Sequence, residues 1–278
     1  MTTALLEFLD RYPRVVALTG AGISAASGIP TYRNDRGEWQ RSDPIQHRDF
    51  IEQGSARRRY WARSMAGWAY VERSRPNESH TALAALESAG YIDLLATQNV
   101  DRLHQRAGHR RVIDLHGRLD RVKCLDCGAD IERAALQAEL EGLNPGWRDT
   151  IAEIRPDGDA EVEDAVVADM TVPECRACGG TLMPDVVFFG GTVPRTRVDA
   201  ISTALAGADA LLVVGSSLMV FSGFRFCRQA HSQGKPLAII NRGQTRADEL
   251  ATLKLEADAG PLLAQVASSV GSASASVR

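Results

Sequence analysis

Short apolar runs alternate with longer segments of mixed polarity along most of this chain. Val15-Val16-Ala17-Leu18-Thr19 is the first, a β-branched run that predicts a strand buried on both faces. Ile92-Asp93-Leu94-Leu95-Ala96-Thr97, Arg111-Val112-Ile113-Asp114-Leu115 and Asp185-Val186-Val187-Phe188-Phe189 follow. Ala210-Leu211-Leu212-Val213-Val214 and Pro236-Leu237-Ala238-Ile239-Ile240 complete the set. Helix-like segments lie between them, so the predicted fold class is α/β, a doubly wound parallel sheet. Several runs end in Gly, Ser, Asn or His. Ligands gather at the carboxyl ends of strands in such a sheet, so those ends are the candidate chemical positions.

Three stretches break the alternation. Residues 34–76 carry Trp39, Phe50, Tyr60, Trp61 and Trp68 among many arginines and give no strand signal. Residues 119–182 hold four cysteines and the section Pro156-Asp157-Gly158-Asp159. From Ser268 onward the chain is rich in Ser, Ala and Gly, which predicts a disordered tail over 268–278. The expected layout is therefore a main domain built from 1–33, 77–118 and 183–267. A helical insertion at 34–76 and a metal-binding insertion at 119–182 pack together as a small domain. No internal repeat is present.

Composition changes this picture little. With 44% hydrophobic and 24% charged residues in 278, the chain reads as an ordinary globular protein of two unequal domains. Its net charge of -3 argues against broad nucleic-acid binding. No apolar run reaches the roughly 18 residues that a membrane span requires. The longest, 210–221, is broken by Gly215-Ser216-Ser217. The first residues lack a secretory or transit pattern, so a cytoplasmic location is expected.

Four of the five cysteines form two pairs, Cys124/Cys127 and Cys175/Cys178, each Cys-x-x-Cys followed by glycine. Two intervening residues let both thiolates face one ion, and the glycine permits the tight turn. Four such sulfurs make a closed tetrahedral site, which predicts structural Zn²⁺. A redox pair or an iron–sulfur site finds no supporting context. Cys227 stands alone and reads as a small buried hydrophobe.

The first strand runs into Gly20-Ala21-Gly22-Ile23-Ser24-Ala25-Ala26-Ser27-Gly28-Ile29-Pro30-Thr31-Tyr32-Arg33. Glycines at such a turn let the backbone approach a pyrophosphate, so the sheet reads as a Rossmann-type nucleotide-binding domain. The third glycine of the dehydrogenase pattern is missing, which disfavours hydride transfer. Three further motifs cap strands: Thr97-Gln98-Asn99-Val100-Asp101, Leu115-His116-Gly117 and Gly215-Ser216-Ser217. A histidine alone at a strand end is often structural. Beside a nucleotide loop and a Gln-Asn-x-Asp cluster, His116 is a candidate general base. His47, His80, His104, His109 and His231 read as surface or packing residues.

These motifs, with the cysteine pairs and Pro184-Asp-Val-Val-Phe-Phe-Gly190, stand in the order and spacing of the sirtuin family. The chain resembles the NAD-dependent protein deacylases over nearly its whole length. Tyr32, the section Arg59-Tyr60-Trp61-Ala62-Arg63, Asp120-Arg121-Val122, the section Asn144-Pro145-x-Trp147 and Phe221-Ser222-Gly223-Phe224-Arg225-Phe226 resemble the class II branch. Thr245-Arg246-Ala247-Asp248-Glu249-Leu250 and Lys254-Leu255 agree. That branch includes the mitochondrial class II sirtuin of animals and many bacterial proteins.

The resemblance implies NAD as co-substrate, held by Gly20, Ala21, Gly22, Ser24, Ile29, Pro30, Tyr32 and Arg33. Gln98 and Asn99 would hold the nicotinamide ribose, and Asp101 and Ile29 would shape the carboxamide pocket. Ser216, Ser217 and Asn241 would serve the adenosine half, and Val100, Gly215, Arg242, Gly243 and Ala259 would also contact the cofactor. His116 and Asn99 are the implied catalytic residues, Asn99 holding a water. The acyl-lysine carbonyl oxygen attacks the ribose and nicotinamide leaves. His116 takes a ribose hydroxyl proton, and O-acyl-ADP-ribose is released. Protein substrates would bind as an extended strand between Phe189-Gly190 and Val220-Phe221-Ser222. Gly191 departs from the acidic residue often found there. Tyr60-x-x-Arg63 spells a pair that holds acidic acyl groups in some sirtuins. Alternatively, Tyr60 and Trp61 pack the helical module and Arg63 is solvated. Rival functions are protein mono-ADP-ribosyl transfer and a low-turnover NAD sensor.

Overall fold

The computed structural model describes residues 1–31, 44–146, 153–154, 160–161 and 167–275. The main sheet has six strands: β1 (Val15–Thr19), β2 (Ile92–Thr97), β3 (Val112–Asp114), β9 (Ala210–Val214), β10 (Leu237–Ile240) and β11 (Leu253–Leu255). Their order is β11-β10-β9-β1-β2-β3, and every neighbouring pair is parallel. Chain order therefore reverses between β1 and β9, where a doubly wound sheet opens its ligand crevice.

All residues of β1, β9 and β10 are buried, as continuous apolar runs require. Val15 and Ala17 point into one core with α1 (Thr2–Arg11), α4 (Glu78–Ser88) and α9 (Ala259–Ala275). Val16 and Leu18 point into the other with α7 (Arg195–Gly207) and α8 (Phe221–Ser232). This period of two places helices on both faces. Cys227 lies fully buried in the second core, a packing residue.

A second body stands on the long segments before and after β2 and β3. Strands β4 (Gly117–Cys124), β5 (Asp130–Glu132) and β8 (Leu182–Val186) form an antiparallel sheet, order β5-β4-β8. Two short strands, β6 (Glu153–Ile154) and β7 (Ala160–Glu161), pair separately. Helices α2 (His47–Glu52) and α3 (Gly54–Arg73) share one core with α6 (Arg133–Leu143) and this sheet. Phe50, Tyr60, Trp61, Val122, Leu136 and Leu182 are among its members. Arg133 clasps the halves: its guanidinium carbon lies 5.6 Å from the Trp61 ring and 5.1 Å from Trp68, and it donates to the Ser64 carbonyl at 3.2 Å.

Two expectations are corrected. The run 185–189 does not join the parallel sheet. Its strand is displaced to Leu182–Val186 and pairs antiparallel with β4, because Gly117 turns the chain left-handed (φ 88°) straight after His116. The tail is not disordered from Ser268. Helix α9 continues to Ala275, since serine and alanine tolerate a helix and Val266 and Val270 anchor it on the core. Among the described residues, no helix is long and apolar enough to cross a membrane.

Candidate active site

The carboxyl ends of β1, β2, β3 and β9 meet around one cavity of about 980 Å³. The opening loop forms a seven-residue 3-10 helix, Ala21–Ser27, in place of a regular α-helix. Its glycines serve packing first. A Cβ on Gly20 would lie 2.7 Å from Ser216 Cβ, and one on Gly22 would lie 2.9 Å from the Gly215 carbonyl oxygen. Gly22 N–H donates to that same oxygen at 2.8 Å, and Gly20 N–H donates to Val214 O at 3.2 Å. Close approach of β1 to β9 thus consumes two of the loop's amides. Gly22→Ala must push backbone against backbone, and the thermal midpoint should fall by roughly 2–8 °C. An unchanged midpoint in a melting scan would show the approach to be loose.

The segment after β2 is tied into this loop. Gln98 Nε2 donates to Ser216 Oγ at 2.8 Å and to Thr19 O at 3.2 Å. Asn99 Nδ2 donates to Gly20 O at 3.1 Å and Ser24 Oγ at 3.0 Å. Ser24 Oγ donates to Asp101 Oδ2 at 2.7 Å, and Asp101 Oδ1 accepts from Leu103 N–H at 2.9 Å. Burial pushes the Asp101 carboxyl above the usual range, and these two donors oppose the shift.

His116 follows β3. Its Nδ1 lies 3.0 Å from Gln98 O and its Nε2 lies 2.6 Å from Ser222 Oγ. A carbonyl only accepts, so Nδ1 carries the proton and Nε2 holds a lone pair on the cavity side. Burial lowers its pKa to about 4, so the ring is neutral near pH 7.

A three-histidine cluster lies behind Ser24. His80 Nδ1 accepts from Asn77 N–H at 3.3 Å, so its protonated Nε2 faces Ser24 Oγ at 3.5 Å. The His104 ring sits 4.8 Å from His80 and 5.2 Å from His109, and its Nε2 lies 2.9 Å from Thr19 Oγ1. Burial lowers all three pKa values, that of His80 to about 4. These residues pack, as expected, but His80 also touches the polar chain that ends at Asp101.

The cavity is lined by Gly20, Ala21, Gly22, Ser24, Ile29, Gln98, Asn99, Val100, Asp101 and His116. Gly215, Ser216, Ser217, Asn241, Arg242 and Ala259 line it too, as do Phe189, Gly190, Val220, Phe221 and Ser222. Pro30 and Gly243 do not. Gly243 turns left-handed (φ 74°), and its carbonyl accepts from Lys254 Nζ at 3.0 Å. Tyr32, Arg33 and Trp147 lie outside the described residues. Sequence reasoning missed an apolar wall of Val71, Leu119, Val186 and Phe188. Val71 and Leu119 carry no local mark, while Val186 and Phe188 lie in the 185–189 run, whose pattern marks a strand and not a cavity wall. Tyr60 lines the cavity while packing on Phe50 and Phe188 at 5.4 and 5.1 Å. Arg63 is buried rather than solvated, with 8% exposure, and is not among the lining residues. It lies on a long helix whose middle is enclosed by the small body's core.

Away from this cavity, the sulfurs of Cys124, Cys127, Cys175 and Cys178 all lie within 4.8 Å of one another. Cys124 and Cys178 are 3.5 Å apart, Cys127 and Cys175 3.7 Å. Zn–S bonds of about 2.3 Å in a tetrahedron require sulfurs roughly 3.8 Å apart, so the four could hold zinc. Gly128 and Gly179 both turn left-handed at φ 73°, closing the two knuckles. A Cβ on Gly180 would come within 2.8 Å of Cys124 Sγ.

A model of the Sir2 family matches residues 20–222. The NAD-dependent protein deacetylase of Xanthomonas campestris pv. campestris is 52% identical over 261 residues, 94% of this chain and 89% of that protein. NAD-dependent protein deacetylase 2 of Bradyrhizobium diazoefficiens is 52% identical over 253 residues, 91% and 93% of the two chains. A solved complex of Sir2 with a p53 peptide and NAD+ superposes with a TM-score of 0.75 at 28% identity, covering 98% of this chain and 99% of that one. With the parallel sheet, the strand-end cavity and the cysteine cluster, these likenesses settle the lineage: the chain belongs to the Sir2, or sirtuin, family.

Proposed function

We propose that this protein is an NAD-dependent protein-lysine deacylase, releasing lysine, nicotinamide and O-acyl-ADP-ribose. The observation that carries the reading is His116. Its neutral ring presents an Nε2 lone pair to the one cavity that holds both the glycine loop and the expected peptide walls. The deacetylase relatives and the peptide–NAD+ complex support the same reaction.

NAD supplies an electrophilic ribose carbon and a leaving nicotinamide. The chain's residues do the rest. Gly20, Gly22, Gly215 and Ser216 would form the floor against which the dinucleotide rests. Asn99, whose Nδ2 is held by Gly20 O and Ser24 Oγ, would hold a water beside the ribose, and Asp101 would shape the carboxamide pocket. His116 Nε2 accepts the proton of a ribose hydroxyl once the acyl oxygen has attacked. The amide oxygen is a weak nucleophile, so placement carries much of the rate. Residues 188–190 and 220–222 flank the acyl-lysine as it enters. Four cysteine thiolates would hold one structural zinc remote from this chemistry. We place the chain in the class II branch on its Phe221-Ser222-Gly223-Phe224-Arg225-Phe226 section, and in the cytoplasm.

The apolar wall favours neutral acyl groups over succinyl and glutaryl. A mass-spectrometric panel tests this. One peptide carrying acetyl, butyryl, long-chain, lipoyl, succinyl or glutaryl-lysine is incubated with NAD and protein. Loss of the neutral groups with matching O-acyl-ADP-ribose is expected. Loss of the acidic groups alone would restore Arg63 as a carboxylate reader. ADP-ribose added to protein with no acyl loss would favour the transferase.

A further inference from the structure

The first turn of α8 reaches into the site at two adjacent residues. Ser222 Oγ lies 2.6 Å from His116 Nε2. The opposite ring nitrogen is bound to Gln98 O, so the only hydrogen available to this contact is that of the serine hydroxyl. Ser222 therefore donates, and Nε2 has one in-plane lone pair to accept with. Gly223 closes on Gln98 itself: a Cβ there would sit 2.6 Å from its Oε1 and 2.8 Å from its Cδ. One helical turn thus touches both the base and the residue whose carbonyl orients it.

We propose that Ser222 is a positioning residue for His116, filling the Nε2 lone pair in the substrate-free enzyme and yielding it to the hydroxyl that His116 deprotonates. This rests on His116 acting as general base. A single lone pair serves one donor at a time, so the incoming hydroxyl must displace the serine. While bound, the serine aims the ring; were Nε2 protonated, the same contact would reverse, with the hydroxyl oxygen accepting. Burial first and Arg197 of α7 second favour the neutral ring, in which the serine donates. The Gln98 carbonyl acts in the opposite sense.

The test is nitrogen NMR of His116 near pH 7 in wild type, Ser222→Ala and Ser222→Thr, each free and with peptide and a non-hydrolysable NAD analogue. In the free wild type Nε2 should carry the chemical-shift signature of a lone pair that accepts a hydrogen bond. Ser222→Ala should lose that signature in the free protein, and Ser222→Thr, which keeps a hydroxyl, should keep it. In the complex all three should agree, since the substrate hydroxyl has by then replaced the serine. A free wild type whose Nε2 shift equals that of Ser222→Ala would overturn the proposal. So would a difference that persists in the complex, or a threonine variant that behaves like alanine. A wild type with no NAD-dependent turnover would instead overturn the deacylase reading, and this role for Ser222 with it.

Discussion

His116→Ala should lower kcat for NAD-dependent deacylation by about 10²- to 10⁴-fold, the usual worth of a positioned general base. The fold should survive. The His116 backbone is held independently of the ring by Val187 N–H donating to His116 O at 2.7 Å. Thermal midpoint and zinc content should therefore match wild type. The loss should fall on kcat more than on peptide binding, because residues 188–190 and 220–222 remain in place. Single-turnover kinetics beside a melting curve checks this. Unchanged turnover in a folded variant would remove His116 from the mechanism.

Cys175→Ser should strike the fold and leave the catalytic side chains untouched. Cys175 is buried within the core shared by α2, α3, α6 and the antiparallel sheet. Its N–H donates to Gly180 O at 2.9 Å, and its carbonyl accepts from Gly179 N–H at 2.7 Å, so the knuckle is built around it. Structural zinc contributes on the order of 10 kcal/mol to such a module. Zinc per chain should drop from one to near zero, with loss of soluble protein. A strong chelator should reproduce this in the wild type. The six-stranded sheet has its own two cores and should unfold as a separate, later transition. Elemental analysis beside calorimetry reads both effects. A soluble variant retaining one zinc would refute the four-cysteine site.

The parallel sheet was legible because its central strands, β1, β9 and β10, are buried on both faces. β2 and β9 coincide with apolar runs, while β11, three residues at the edge with Lys254 in the middle, leaves almost no pattern. The run 185–189 misled for a related reason: apolar content marks burial but not the sheet in which a strand pairs. The cysteine knuckles and strand-end motifs were legible because each is local. The cavity wall of Val71, Leu119, Val186 and Phe188 was not, since it arises where α3, β4, the end of β8 and the segment just after it converge. The Ser222 contact spans 106 residues of sequence, and no spacing could announce it. The glycines at 20 and 22 were found for one reason and prove needed for another. They admit Ser216 and Gly215 before they admit any ligand.

The most direct test of the central claim is a stoichiometry. Purified protein, one acetyl-lysine peptide and NAD are incubated, and the products are counted by mass spectrometry. The proposed reaction predicts free lysine peptide, nicotinamide and O-acetyl-ADP-ribose in equal amounts. Deacetylated peptide accompanied by free acetate, with NAD intact, would contradict it.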